Sequence, residues 1–329
     1  GLTKEDIKDA SGNVTGFNIT SYLNNIVHIA AGYYHNLALS KDGTVWAWGY
    51  NGYGCLGNGD GNNRWLPTKV LGGASGTEYL EDIVQITGAY YHSIALKTNG
   101  TVWAWGYGGW GQLGNGSTGN YSTPVQVLTG EQQLGSNYLK NVVQISAMGD
   151  GNGTVLALME DKTAYGWGRT YNGALGITSW SDTSVVKPRE FTTTPIKINK
   201  MTITETTEGD KTVRKASIEE LNNIAQIAGG GSGKETYSLF IDGDGNVHGV
   251  GYNINGELGS GNDKGNGDVN NYSKDAGWGP ELKDTLNISD ILQISGGSAG
   301  HFSVAVNEDG EVWTWGYNTS GQIGNGTTD

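Results

Sequence analysis

The sequence predicts an all-β fold, a β-propeller of four-stranded blades. Three observations point there. A unit of about 60 residues returns five times along the 329-residue chain. Each copy alternates apolar and polar side chains with the period of two that strands require. Gly-rich turns punctuate the copies, and no segment sustains a helical period.

The fragment TVWAWGYNGYGCLGNG (44–59) returns as TVWAWGYGGWGQLGNG (101–116) and as EVWTWGYNTSGQIGNG (311–326), with weaker copies at 163–176 and 246–261. Marker glycines Gly49, Gly106, Gly168, Gly251 and Gly316 are 57, 62, 83 and 65 residues apart. Repeat cores cover about 26–70, 83–127, 142–198, 224–262 and 291–326 of one propeller domain spanning residues 1–329. In the first core, Ile26 to Ile29 alternates as a first strand and His35 to Leu39 forms a second. Asp42-Gly43 supplies the positive φ of a hairpin turn. Val45 to Trp48 is the third strand, and Pro67 to Val70 the fourth, matched at Pro124 and Pro195. The long third interval holds an insertion at 200–220, whose alternation around Gly209-Asp210 predicts a protruding hairpin. Residues 13–20 are a possible closing strand, expected to complete the last blade and hide its edge.

The pattern IxxIAxGxxHxLAL-x-DG-x-VWAWGxNxxGQLGNG, followed by TPV, resembles the regulator of chromosome condensation repeat family, in a bacterial-type form. The likeness runs from about residue 26 to 326. It implies a β-propeller, most often of seven blades. With five repeats visible, the chain is either a closed five-bladed ring or part of a seven-bladed one. The third and fourth copies depart from the pattern: Asp150 to Thr154 carries no His, and Val250 replaces a Trp. In that family, loops of one face grip other proteins without chemistry. The founding member exchanges guanine nucleotide on a small GTPase in this way.

Composition narrows the function. The net charge is −13 with no basic block, a poor match for a nucleic-acid backbone. One Cys excludes an internal disulfide and a cysteine-based zinc site. No apolar run approaches the roughly 18 residues of a membrane helix. Gly106 to Gly111 matches G-x-G-x-x-G, but a strand precedes it and no helix follows to hold a pyrophosphate. Gly229 to Lys234 resembles a phosphate loop only superficially and reads as an inter-strand loop. Asp242 to Asn246 lacks the Gly and Glu of a calcium loop.

The repeated aromatics and histidines read as structure. Trp46, Trp48, Trp103, Trp105, Trp167, Trp313 and Trp315 are expected to pack between neighbouring blades. His35, His92 and His301 read as one repeat position, half-buried and bonded to backbone within each blade. Trp65, Trp110, Trp180 and Trp278 fall outside the repeat, in loops or at variable positions.

The candidate binding residues are Tyr33, Tyr34, Tyr90 and Tyr91, from the same loop of adjacent units, together with Trp110 and Phe302. Blades are related by rotation, so the four tyrosines should meet in one patch, and Trp110 should be exposed. No catalytic set, metal site or cofactor is expected. The predicted activity is non-enzymatic protein binding by a monomer, with a glycan or a small GTPase as alternative partners. The Asn-, Gly- and Thr-rich acidic style suggests an extracellular or surface bacterial protein, with the cytoplasm as the alternative.

Overall fold

The computed structural model describes residues 4–19, 22–132, 135–149, 153–170, 173–176, 190–208, 211–233, 235–259, 290–297 and 300–328. Trp180 and Trp278 lie outside them.

The chain enters through a hairpin, β1 (Lys4–Lys8) and β2 (Val14–Ile19). The segment expected to close the last blade is thus a strand, but its partner is the chain's own N-terminus. A short local turn decides this. The Asp9 carboxylate accepts the backbone N–H groups of Ser11 and Asn13, so pairing costs little loop-closure entropy.

Five repeat sheets and one inserted hairpin sheet follow among the described residues. The first is β3 (Ile26–Ala31), β4 (His35–Ser40), β5 (Val45–Gly49) and β6 (Arg64–Lys69). The second is β7 (Ile83–Gly88), β8 (His92–Lys97), β9 (Val102–Gly106) and β10 (Tyr121–Gln126). The third is β11 (Val142–Met148), β12 (Thr154–Met159), β13 (Ala164–Arg169) and β14 (Phe191–Lys197). A separate two-stranded sheet, β15 (Asn199–Glu208) and β16 (Lys211–Glu220), stands between the third and fourth. The fourth contains β17 (Ile224–Ser232), β18 (Glu235–Asp242) and β19 (Val247–Gly251). The fifth contains β20 (Ile291–Gly296), β21 (Phe302–Asn307) and β22 (Val312–Gly316). Every pairing in these sheets is antiparallel between chain neighbours, the meander of a propeller blade. The glycines at 229–231 belong to β17, not to a loop, and pair with Ser238, Tyr237 and Thr236.

Four apolar cores lie between successive sheets. Leu37, Leu39 and Val45 of the first meet Ile86, Ala95 and Trp103 of the second. Equivalent cores join the second to the third, the third to the fourth and the fourth to the fifth. Burial of this kind, at about 25 cal/mol per Å² of apolar surface, is the main force holding sheet to sheet.

Hydrogen bonds fix how the sheets meet. The loop after each third strand offers one backbone carbonyl to the next sheet. Cys55 O accepts from Trp105 Nε1 (2.8 Å) and Ser93 Oγ (2.9 Å). Glu257 O accepts from Trp315 Nε1 (2.8 Å) and Ser303 Oγ (2.9 Å). The weaker repeats keep one donor each: Trp167 Nε1 bonds Gln112 O at 3.0 Å, and Ser238 Oγ bonds Ala174 O at 2.6 Å. Only the main chain of the acceptor residue is used. This explains why Cys, Gln, Ala and Glu all occupy that position.

A second latch joins the first strands. Gln85 accepts from Ile145 N (2.9 Å) and donates to Ile145 O (3.0 Å). Gln144 does the same for Ile227, at 3.0 and 3.2 Å. Gln226 accepts from Ile294 N at 2.7 Å. Replacing Gln85 by Leu strands an N–H and a C=O on Ile145, which is itself 2% exposed. The expected loss is about 2 kcal/mol, within the usual cost of unsatisfied buried groups. Urea unfolding measures it; an unchanged midpoint would show that the latch carries no energy.

Candidate functional site

In an antiparallel meander, the first-to-second and third-to-fourth connections emerge at the same end. The marker glycine joins these two loops. Gly49, Gly106, Gly168, Gly251 and Gly316 all have φ between 92° and 116°. A side chain there would collide with the carbonyl oxygen of Tyr34, Tyr91, Gly153, Thr236 or His301, respectively. The residue after the glycine donates its N–H to that same carbonyl in all five sheets: Tyr50 to Tyr34, Tyr107 to Tyr91, Arg169 to Gly153, Tyr252 to Thr236 and Tyr317 to His301. The tyrosine of each WGY motif is thereby held beside the first-to-second loop.

The result is a continuous tyrosine network. Tyr33 touches Tyr34 and Tyr90, with ring centroids 4.4 and 4.3 Å apart. Tyr90 meets Tyr91 at 4.3 Å. The four predicted rings therefore form one patch. Tyr50 adds itself at 6.0 Å from Tyr34 and 5.4 Å from Tyr91. Tyr53 lies 4.7 Å from Tyr91 and 5.1 Å from Tyr107. Tyr33 and Tyr34 are 53% and 54% exposed, and the other five are half-buried. Desolvation, and after it repulsion from neighbouring phenols, raises the pKa of Tyr34, Tyr50 and Tyr91, so the phenols stay neutral and keep their donors. Sequence reading missed Tyr50, Tyr53 and Tyr107. The signal was present in the WGY string, which follows a strand paired to the one after Tyr34.

The two other predicted binding aromatics sit differently. Trp110 is half-buried, not exposed: its ring packs against Phe191 at 5.9 Å, and the Arg169 guanidinium lies over it at 4.2 Å. Phe302 opens strand β21 and pairs with Gly316, just as His35 pairs with Gly49 and His92 with Gly106. Phe302, not His301, therefore fills the histidine position of the last sheet. Tyr237 and Thr154 fill it in the fourth and third. His301 corresponds to Tyr34 and faces the loop end. Four residues separate Phe302 from Gly297, where two separate His35 from the equivalent Gly32, and these two additional residues account for the slip.

His35 and His92 are each 1% exposed, so they are buried rather than half-buried. His35 bonds across the junction, not within its blade: its Nε2 is 2.9 Å from Ser93 Oγ. Ser93 gives its own hydrogen to Cys55 O, so His35 must be the donor in that bond. His301 is held between carboxylates, with Nε2 3.2 Å from Glu235 and Nδ1 3.5 Å from Glu257. Trp65 lies on outer strand β6 and is 89% exposed.

Among the described residues, the motifs that could suggest chemistry are built as structure. Cys55 is fully buried and its thiol is pushed up to about 11 by desolvation, so it is no nucleophile. Gly106 to Gly111 is a strand end and a tight turn, with Gly111 N bonded to Gly108 O. The Asp242 carboxylate is filled by Asp244 N, Asn246 N and His248 Nε2. Among the described residues, no three His, Cys, Asp or Glu side chains are placed to hold a metal ion. No helix of the described residues is long and apolar enough to cross a membrane. The end of the sheets that carries the tyrosines offers flat rings and phenolic hydroxyls.

Two models of the regulator of chromosome condensation (RCC1) repeat match the sequence. One matches residues 42–96 and 99–155; the other matches 26–55, 83–112 and 291–322. The ultraviolet-B receptor UVR8 of Arabidopsis thaliana is 32% identical over 151 residues, which is 45% of this chain and 30% of that one. The human E3 ubiquitin-protein ligase HERC2 is 29% identical over 305 residues, 92% of this chain but 5% of HERC2. The chain thus spans less than a third of either relative. The crystal structure of human WBSCR16 superimposes with a TM-score of 0.65 at 21% identity, covering 97% of this chain and 70% of that one, a likeness of fold. These relatives are eukaryotic and lend no support to the bacterial qualifier.

Proposed function

We propose that this chain, which belongs to the regulator of chromosome condensation repeat family, is a non-enzymatic protein-binding propeller that engages its partner through the tyrosine face. The observation that carries this reading is the seven-ring network. It gathers Tyr33, Tyr34, Tyr50, Tyr53, Tyr90, Tyr91 and Tyr107 at one end of two adjacent sheets. Exposed aromatic patches on a rigid scaffold mark interaction surfaces. Tyrosine supplies large contact area with few rotatable bonds, which is why it dominates binding hot spots.

Partner capture with wild type and with the double variant Tyr33→Ala/Tyr34→Ala tests this. Both rings are more than half exposed, so the variant should keep the wild-type melting temperature. Affinity for the captured protein should fall about tenfold or more, since a hot-spot truncation costs roughly 2 kcal/mol. Equal affinity would move the binding surface elsewhere. Recovery of glycans alone on an array run in parallel would favour carbohydrate as the ligand.

A further inference from the structure

We infer that the tyrosine face receives cationic side chains, so that its protein partner presents a basic, arginine-rich segment. This rests on the reading of the face as a protein-binding surface. The geometry comes first. Tyr34, Tyr50 and Tyr91 form a triangle with centroid separations of 6.0, 5.4 and 6.2 Å. Tyr34 and Tyr91 are tilted by only 29° to each other. A cation seated above the middle of this triangle lies within about 6 Å of all three centroids, the range of cation–π attraction. A neutral aromatic ring carries negative charge on its faces, and a phenolic hydroxyl can accept from a guanidinium.

Charge comes second. The chain carries a net −13, which attracts a basic segment and repels an acidic one. Among the described residues, the arginines at this end of the sheets do not compete: Arg64 is ion-paired to Asp60, and Arg169 lies over Trp110. That last pair is an internal precedent. The neighbouring part of the same end already holds a guanidinium over an indole at 4.2 Å. A proline-rich or sugar ligand would use the flat rings but would gain nothing from the acidic balance.

Fluorescence anisotropy with a dye-labelled peptide of alternating Arg and Gly tests the inference. The same peptide with citrulline for arginine keeps the planar side chain and removes the charge. The protein arms are wild type, Tyr34→Leu/Tyr91→Leu and Tyr34→Phe/Tyr91→Phe, all with the same net charge. General electrostatic attraction therefore cancels among them. Wild type and the Phe variant should bind the arginine peptide within about twofold of each other, because both keep the rings. The Leu variant should bind it about fivefold to tenfold more weakly, and citrulline should cost at least about tenfold. Equal binding by the Leu variant, or citrulline or proline-rich peptides binding as tightly as the arginine peptide, would overturn the inference. If partner capture depends on Tyr33 and Tyr34 while the peptide ignores the rings, only this inference falls. If neither responds to the tyrosines, the binding face falls with it.

Discussion

At pH 4 the protein is less stable than at pH 7 by several kcal/mol, and two buried histidines account for the loss. Desolvation pushes His35 down to about 4, and desolvation plus repulsion from His35 pushes His92 down to about 3. Geometry gives the same direction. The hydrogen on His35 Nε2 is committed to Ser93, and its Nδ1 has no hydrogen-bonding partner, so a second proton there would be buried and unsatisfied. In the unfolded chain both rings titrate near 6.5. As the pH falls below that value the unfolded state takes up protons and the folded state does not. Stability therefore drops from about pH 6.5 until each folded pKa is passed. At 1.36 kcal/mol per unit, each histidine contributes a loss of about 3 kcal/mol by pH 4. The carboxylates held low by hydrogen bonds, Asp42 and Asp60, start from 3.8 and act mainly at still lower pH. Urea midpoints at pH 7, 6, 5 and 4.5 trace the loss. His92→Phe, the residue type that Phe302 places at the same register position, should roughly halve the slope. A midpoint that is flat from pH 7 to 4.5 would refute the account.

The repeat made the blades legible because strand period, Asp-Gly turns and the marker glycine are all local. The partner of a strand edge is not local. Residues 13–20 could be recognised as a strand, but the Asp9 turn that pairs them with Lys4–Lys8 competes with any distant sheet. Register was the second failure. Aligning His301 with His35 follows sequence identity, whereas Gly316 opposes Phe302 in the sheet. A loop longer by two residues was enough to exchange a face residue with a buried one. The tyrosine patch was half legible for the same reason. Tyr33, Tyr34, Tyr90 and Tyr91 share a loop, but Tyr50 and Tyr107 join it only through cross-strand pairing that a linear reading does not display. Trp110 looked exposed because the residues that cover it, Arg169 and Phe191, belong to the next repeat. Inter-sheet donors such as Gln85 were invisible because a polar residue on an alternating strand reads as solvent-facing.

Trp105→Ala is expected to destabilise the protein by about 3–5 kcal/mol, the range for emptying a large aromatic from a core. The ring is 0% exposed, belongs to the core between the first and second sheets, and rests against Gly57. Its Nε1 donates to Cys55 O, so the substitution removes packing and a latch together. Trp105→Phe separates the two. It retains most of the apolar volume, and Ser93 still serves the Cys55 carbonyl, so the loss should be about 1–2 kcal/mol. Trp167→Phe should cost more than Trp105→Phe, because Val155 stands where the second sheet has Ser93 and cannot donate to Gln112 O. Trp65→Ala is the control: at 89% exposure it should change stability by no more than about 0.5 kcal/mol. Unfolding midpoints in urea rank the four variants. Equal losses for Trp105→Phe and Trp167→Phe would show that the ring volume, and not the hydrogen bond to the preceding sheet, carries the junction.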